Sequence, residues 1–283
     1  MSVFTYIVTE GVHDVAFLGR LLALAHGAVR INKLEELDEA LRSWLGSAFK
    51  WPRFTGRHHD IARMAVPAPV FYRLASGGMV ALRNAQGITE IGNTLSVDKE
   101  AFARAEIRPR AIGVVLDSDD EAEDQRFGKM KQTLEGLGLY LPMVLGTVGD
   151  GDPRVGIFAL PEQGVAGTLE DILLTLGETA YPELAAAARS YADEWRRKAA
   201  DQPEVADWKE LRKPAGGKKA TIGAMTALLK PGKSTQVSLE DNRWVSEQTQ
   251  ALACLQPCLA FLNALLAPPA SIGGVVETLE GAP

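Results

Sequence analysis

Cysteine is scarce in this chain: two among 283 residues, Cys254 and Cys258. Four apart on an apolar segment, they share one face of a helix. A structural zinc needs about four ligands, and no further cysteine is there to complete a site. The pair reads as two small buried hydrophobes. They build no disulfide framework, which fits a reducing cytoplasm. Long apolar runs are missing as well, so no membrane span is expected. Met1-Ser2 leads straight into a strand-like run, without the basic and apolar regions of a signal peptide. Positive charge is in deficit, 30 Lys and Arg against 36 Asp and Glu, for a net charge of −6. That excludes a protein coating nucleic acid through overall charge and leaves room for a local basic groove. A phosphate-binding Walker loop is also lacking. Gly232-Lys233-Ser234 would need glycine at 227, where Ala227 stands, and the preceding Ala224–Leu229 is helical in character. No ATPase site is expected.

What is present starts from an ordinary globular composition, 46% hydrophobic and 23% charged. The length suits one large domain or two small ones. Within it, Ala111-Ile112-Gly113-Val114-Val115-Leu116 is a short apolar, β-rich run that ends in Asp117-Ser118-Asp119-Asp120. It reads as a strand buried on both faces. If the strand persists, Asp117 and Asp119 point to one side, and paired carboxylates repel unless a cation lies between them. Hard divalent ions take such oxygen ligands. The same residues suit an Asp-rich turn, with Asp119 or Asp120 capping the next helix. Val3–Thr9 is a second strand-like run, ending in Glu10-Gly11-Val12-His13-Asp14 before the apolar helix Val15–Leu22. In an open α/β sheet, ligands bind outside the carboxyl ends of the strands. If the two strands are neighbours, Glu10, Asp14, Asp117 and Asp119 converge there.

This order of motifs, a strand ending in Glu-Gly followed by Asp and a later strand ending in Asp-x-Asp, resembles the Toprim domain. The resemblance covers about residues 1–161. The wording Val8-Thr9-Glu10-Gly11-Val12-His13-Asp14 and the later Gly167-Thr168-Leu169-Glu170-Asp171 are similar to the small stand-alone Toprim-like proteins grouped as DUF3226. The resemblance implies an α/β fold with a central, mostly parallel sheet flanked by helices. It implies Mg²⁺ or Mn²⁺ as cofactor and nuclease chemistry, with Glu10 as ligand or general acid/base, Asp117 and Asp119 as ligands and Asp14 in support. Glu170 opens a helix after a further strand and could join them, while Asp171 suits a capping box. By analogy with OLD-type nucleases, the resemblance also implies a role in phage defence beside a separate ATPase chain. Its alternative is a Toprim-fold module that binds nucleotide or partner without catalysis.

The remaining organisation is coarser. Residues 1–175 read as the Toprim-like domain, with an insertion over about 31–69 and a β-hairpin at 70–83. Residues 176–283 read as a helical extension packed on it. Ile88–Ile91 is expected as a strand, Val97–Arg104 as a short helix, and Leu141–Leu145 as the start of a hairpin returning at Val155–Leu160. Trp195 and Trp208 are expected to pack against the domain. Two basic stretches suit phosphates: Lys50, Arg53 and Arg57 with Trp51 and Phe54 beside them, and Lys218 and Lys219 in a loop read over 214–221. A nucleic acid substrate is therefore expected. The sequence does not set the oligomeric state, and a homodimer is compatible with it.

Overall fold

The structure is a computed structural model that describes residues 3–48, 68–119, 123–162 and 164–268. Lys50, Arg53 and Arg57, and most of the expected insertion, lie outside the described residues. In chain order the elements are β1 (Val3–Thr9), α1 (Val12–His26), β2 (Val29–Ile31), α2 (Glu39–Ala48), β3 (Val70–Arg73), β4 (Met79–Asn84), α3 (Ile91–Arg104) and β5 (Arg108–Asp117). They continue with α4 (Glu123–Gly136), β6 (Arg154–Leu160), α5 (Leu169–Ala180), α6 (Pro182–Asp201), α7 (Lys209–Arg212), α8 (Gly216–Leu229), α9 (Thr235–Asp241), α10 (Glu247–Gln250) and α11 (Gln256–Leu266).

The six strands form one sheet in the order β2-β3-β4-β1-β5-β6. β1 runs parallel to both β4 and β5, and β5 runs parallel to β6. The expected hairpin β3–β4 is present and antiparallel, and β2 extends it to one edge. The fold is therefore α/β with a mostly parallel sheet. Its two central motif strands are immediate neighbours, with Thr9 in register with Val115.

Both faces of β1 are buried, which explains its unbroken apolar run. Phe4, Tyr6 and Val8 enter one core layer with Trp44, Phe71, Leu95 and Phe102, under α2, α3 and α4. Ile7 enters the opposite layer under α1 and α5, which also holds Met225, Leu239, Trp244 and Leu262 from the C-terminal helices. The helices after residue 175 thus share a core with the strands. Arg154 ties the last of them down, its guanidinium donating to the carbonyls of Ala264 (3.1 Å) and Leu265 (2.8 Å). Those carbonyls are the ones a helix C-terminus leaves unpaired, and cations are favoured there.

Three local expectations fail. Ile88–Glu90 forms a 3-10 turn leading into α3, so the predicted third strand is the start of a helix that runs on to Arg104. The segment 141–145 is not a strand, and β6 joins the sheet in parallel beside β5, meeting the preceding loop only through a bridge between Val148 and Gly156. The basic stretch over 214–221 is not a loop: Gly216 to Leu229 is α8, which packs against α6. Among the described residues, no helix is long and apolar enough to cross a membrane.

Candidate functional site

The carboxyl ends of β1 and β5 open between the N-termini of two helices. α1 begins at Val12, three residues after β1 ends, and α5 begins at Leu169, after the loop that follows β6. Each helix has a carboxylate at its third position. Asp14 accepts the Gly11 N–H at 2.7 Å, and Asp171 accepts the Thr168 N–H at 3.0 Å. These bonds satisfy amides that a helix start would otherwise leave unpaired. The capping expectation for Asp171 is met, and Asp14, placed beside the metal from sequence, also caps α1.

Asp117 ends β5 and points toward α5, where its Oδ1 accepts the Leu169 N–H at 2.8 Å. Burial pushes the Asp117 carboxyl up to about 8. The charge of Asp14 adds to the rise, the Leu169 hydrogen bond opposes it, and Glu170 and Glu10 raise it further. Asp14, 6% exposed, is pushed up to about 7, again by burial first. Its Gly11 hydrogen bond works against that, while Glu10 and Glu170 raise it. Glu10, Asp14, Asp117 and Glu170 therefore act on one another electrostatically, as like charges in a shared, partly dehydrated space do.

Asp119 lies two residues beyond the end of β5. The strand ends at Asp117 and Asp119 adopts φ 47°, so the two-residue alternation that would set both on one side stops before it. Its backbone is paired with that of Gly167, the Asp119 N–H donating to Gly167 O at 2.8 Å and the Gly167 N–H to Asp119 O at 3.1 Å. This clamp fixes the loop that carries α5 to the end of β5. Gly167 itself has φ 152°, and a Cβ there would lie 2.8 Å from Asp171 Oδ2. Only glycine sits in that region without strain.

Lys218 and Lys219 reach the same edge from the first turn of α8. Lys218 Nζ lies 2.6 Å from Asp171 Oδ1, and Lys219 Nζ lies 3.8 Å from Glu170 Oε1. The sequence placed both as phosphate contacts; the structure brings them to the acids. His13, in the first turn of α1, was not assigned a role from sequence. Burial lowers its basicity; the charge of Glu170 acts to raise it and that of Lys219 to lower it. The signal for it was its place inside the Glu10–Asp14 motif, one residue before the capping carboxylate.

The donor set consists of carboxylate oxygens, which suits a hard divalent cation, and such a cation would offset both the burial and the like charges that lift Asp14 and Asp117. Among the described residues, no three His, Cys, Asp or Glu side chains are already gathered around one metal-sized point.

An α/β protein with an acidic cluster at the carboxyl edge of its parallel strands is the class that fold and site define. Residues 5–266 match the family described as "Protein of unknown function (DUF3226)", and the chain belongs to that family. No curated protein matches it. Among solved structures, it is similar to the hypothetical protein PH0156 from Pyrococcus horikoshii OT3, with 16% sequence identity and a TM-score of 0.52, over 94% of this chain and 95% of that one. At that identity the likeness is one of fold.

Proposed function

We propose that this chain is a Toprim-type phosphodiesterase, a nuclease that uses Mg²⁺ or Mn²⁺ held by Glu10, Asp117 and Glu170, with Asp119 and Asp14 supporting them. The observation that carries the reading is the placement of Asp14 and Asp117, both lifted by burial and further by Glu10 and Glu170, at the ends of adjacent parallel strands. Buried like charges kept together against their own repulsion are characteristic of functional sites. Once bound, the ion supplies Lewis-acid polarisation of a phosphoryl oxygen and an activated water.

The chain's own residues do the rest. Leu169 N–H holds Oδ1 of Asp117 and so fixes the carboxylate at the end of β5. Gly11 N–H holds Asp14 in the same way. At neutral pH both carboxyls retain protons, and both must release them as a cation binds, so affinity rises with pH up to about 8. Lys218 and Lys219 sit beside the acids and would take up the phosphates flanking the scissile bond.

The test is cleavage of plasmid DNA and of a mixed-sequence RNA by purified protein with Mn²⁺, with EDTA, and with Asp117→Asn. Products that require Mn²⁺ and vanish with the variant support the proposal. Wild-type protein that cleaves neither substrate at millimolar Mn²⁺ favours the non-catalytic reading.

A further inference from the structure

One face of α6 carries a cluster of aromatic rings in edge-to-face contact. Tyr191 and Trp195 lie with centroids 6.3 Å apart, and Trp195 and Trp208 5.9 Å apart. Lys198 Nζ sits 4.5 Å over the Trp195 ring. The sequence places these tryptophans against the domain. They also contact one another, each partly buried, and Tyr191 is 59% exposed. The cluster is held in shape, because Arg212 donates to the carbonyls of Gln202 (3.2 Å) and Val205 (3.0 Å) and so fixes the loop that presents Trp208 to α6.

Two observations say what this face receives. The first is charge. Residues 189–219 hold nine Lys and Arg and six Asp and Glu, a local +3 in a chain of net −6. The second is continuity with the acidic edge. The Arg196 side chain, next along α6, lies against the start of α8, its Cδ 3.3 Å from where a Cβ on Gly217 would be. Lys218 and Lys219 follow, and Lys219 reaches Glu170. Beside them, a cleft of about 310 Å³ between α7 and α8 is lined by Lys213, paired with Glu210, and by Gly216 and Lys219. Rings that stack on bases and lysines that track phosphates are the two components of a single-strand binding surface, and a rigid duplex has no exposed base faces to offer it.

We infer that Tyr191, Trp195 and Trp208 form a platform for the unpaired bases of a nucleic acid strand whose phosphates run past Lys218 and Lys219 to the acidic edge. The inference deepens the proposed function by naming its substrate class as single-stranded. It also moves base stacking from the stretch around Trp51 and Phe54 to the C-terminal helices.

The test is fluorescence anisotropy of a labelled 12-nucleotide oligothymidylate and of a 12-base-pair duplex, with the full chain in EDTA over a salt series. The single strand should bind more tightly than the duplex. Tyr191→Ala, at an exposed position, and Trp208→Ala should each weaken it by roughly five- to a hundredfold, the range for losing one stacked base. Trp208→Phe should restore most of the affinity, and Lys218→Gln with Lys219→Gln should flatten the salt dependence. Ring-deleted variants that bind like wild type, or equal affinity for strand and duplex, would overturn the inference. Because EDTA removes hydrolysis from the measurement, the two readings separate. Tight strand binding without Mn²⁺-dependent cleavage keeps the platform and removes the nuclease. Cleavage that is indifferent to the rings does the reverse.

Discussion

Asp117→Asn should make the protein more stable at alkaline pH, although it removes a residue of the candidate site. The folded protein raises the Asp117 carboxyl from an ordinary value of 3.8 to about 8. A carboxyl raised on folding stabilises the native state fully only below its unfolded value, and that contribution is lost as pH climbs through the folded value. Each pH unit inside this window costs about 1.4 kcal/mol for one group. From pH 5 to pH 8, Asp117 alone therefore costs up to about 4 kcal/mol. Asp14, raised to about 7, adds to the slope below pH 7. Asparagine carries no charge and can still accept the Leu169 N–H. His13 and His26, lowered by burial, run the opposite way around their ordinary value of 6.5, but they are common to both proteins and cancel in the comparison. Urea unfolding in EDTA at pH 5, 6, 7 and 8.5 gives both curves. They should differ by about 1–2 kcal/mol at pH 5 and by about 5 kcal/mol at pH 8.5, with the variant the more stable. A variant that is as pH-sensitive as wild type, or less stable at pH 8.5, would refute a repulsive carboxylate cluster.

Other consequences follow from the same geometry. Millimolar Mn²⁺ should raise the melting temperature, and more at pH 8 than at pH 6; binding at 100 times Kd is worth about 2.7 kcal/mol, and differential scanning fluorimetry would register it. Gly167→Ala should cost about 1–3 kcal/mol in backbone strain, since its Cβ would press on Asp171 and Pro161; chemical denaturation reports the loss, and Mn²⁺ affinity should fall as α5 shifts. Tyr6→Phe removes the hydroxyl that donates to Asp98, a carboxylate only 1% exposed and also paired with Arg83 at 3.2 Å. It should cost about 1.5–3 kcal/mol in thermal or urea unfolding, the worth of a hydrogen bond to a charged group.

The acidic half of the candidate site was legible because its signals are local. A short apolar run buried on both faces and ended by acids reads the same in sequence and in fold, and the carboxyl-edge rule brings two such ends together. The capping carboxylate Asp171 was legible from Thr168 three residues earlier. The rest depends on contacts that sequence spacing does not carry. Gly216-Gly217 reads as a loop, yet α8 begins there, and Gly216 is needed because the carbonyls of Glu210 and Leu211 come within 2.4 Å of where its Cβ would sit. The pairing of Lys219 with Glu170 spans 49 residues and exists only because α8 packs beside α5 and α6. Trp195 and Trp208 look like core residues by type alone, and only the fold shows that they lie on each other at the surface. β-branched residues at Ile88, Thr89 and Ile91 suggest a strand, but packing makes them the entry to α3. Asp119 fits the Asp-x-Asp pattern, while its left-handed backbone serves the clamp to Gly167.

The central claim is that the acidic edge is a divalent-cation site. Anomalous diffraction from a crystal soaked in Mn²⁺ at pH 8 tests it most directly. The account predicts a Mn²⁺ peak held by oxygens of Asp117 and at least one of Glu10 and Glu170, at about 2.0–2.3 Å. A fully soaked crystal with no peak at that edge, or with Mn²⁺ bound elsewhere in the chain, would contradict it.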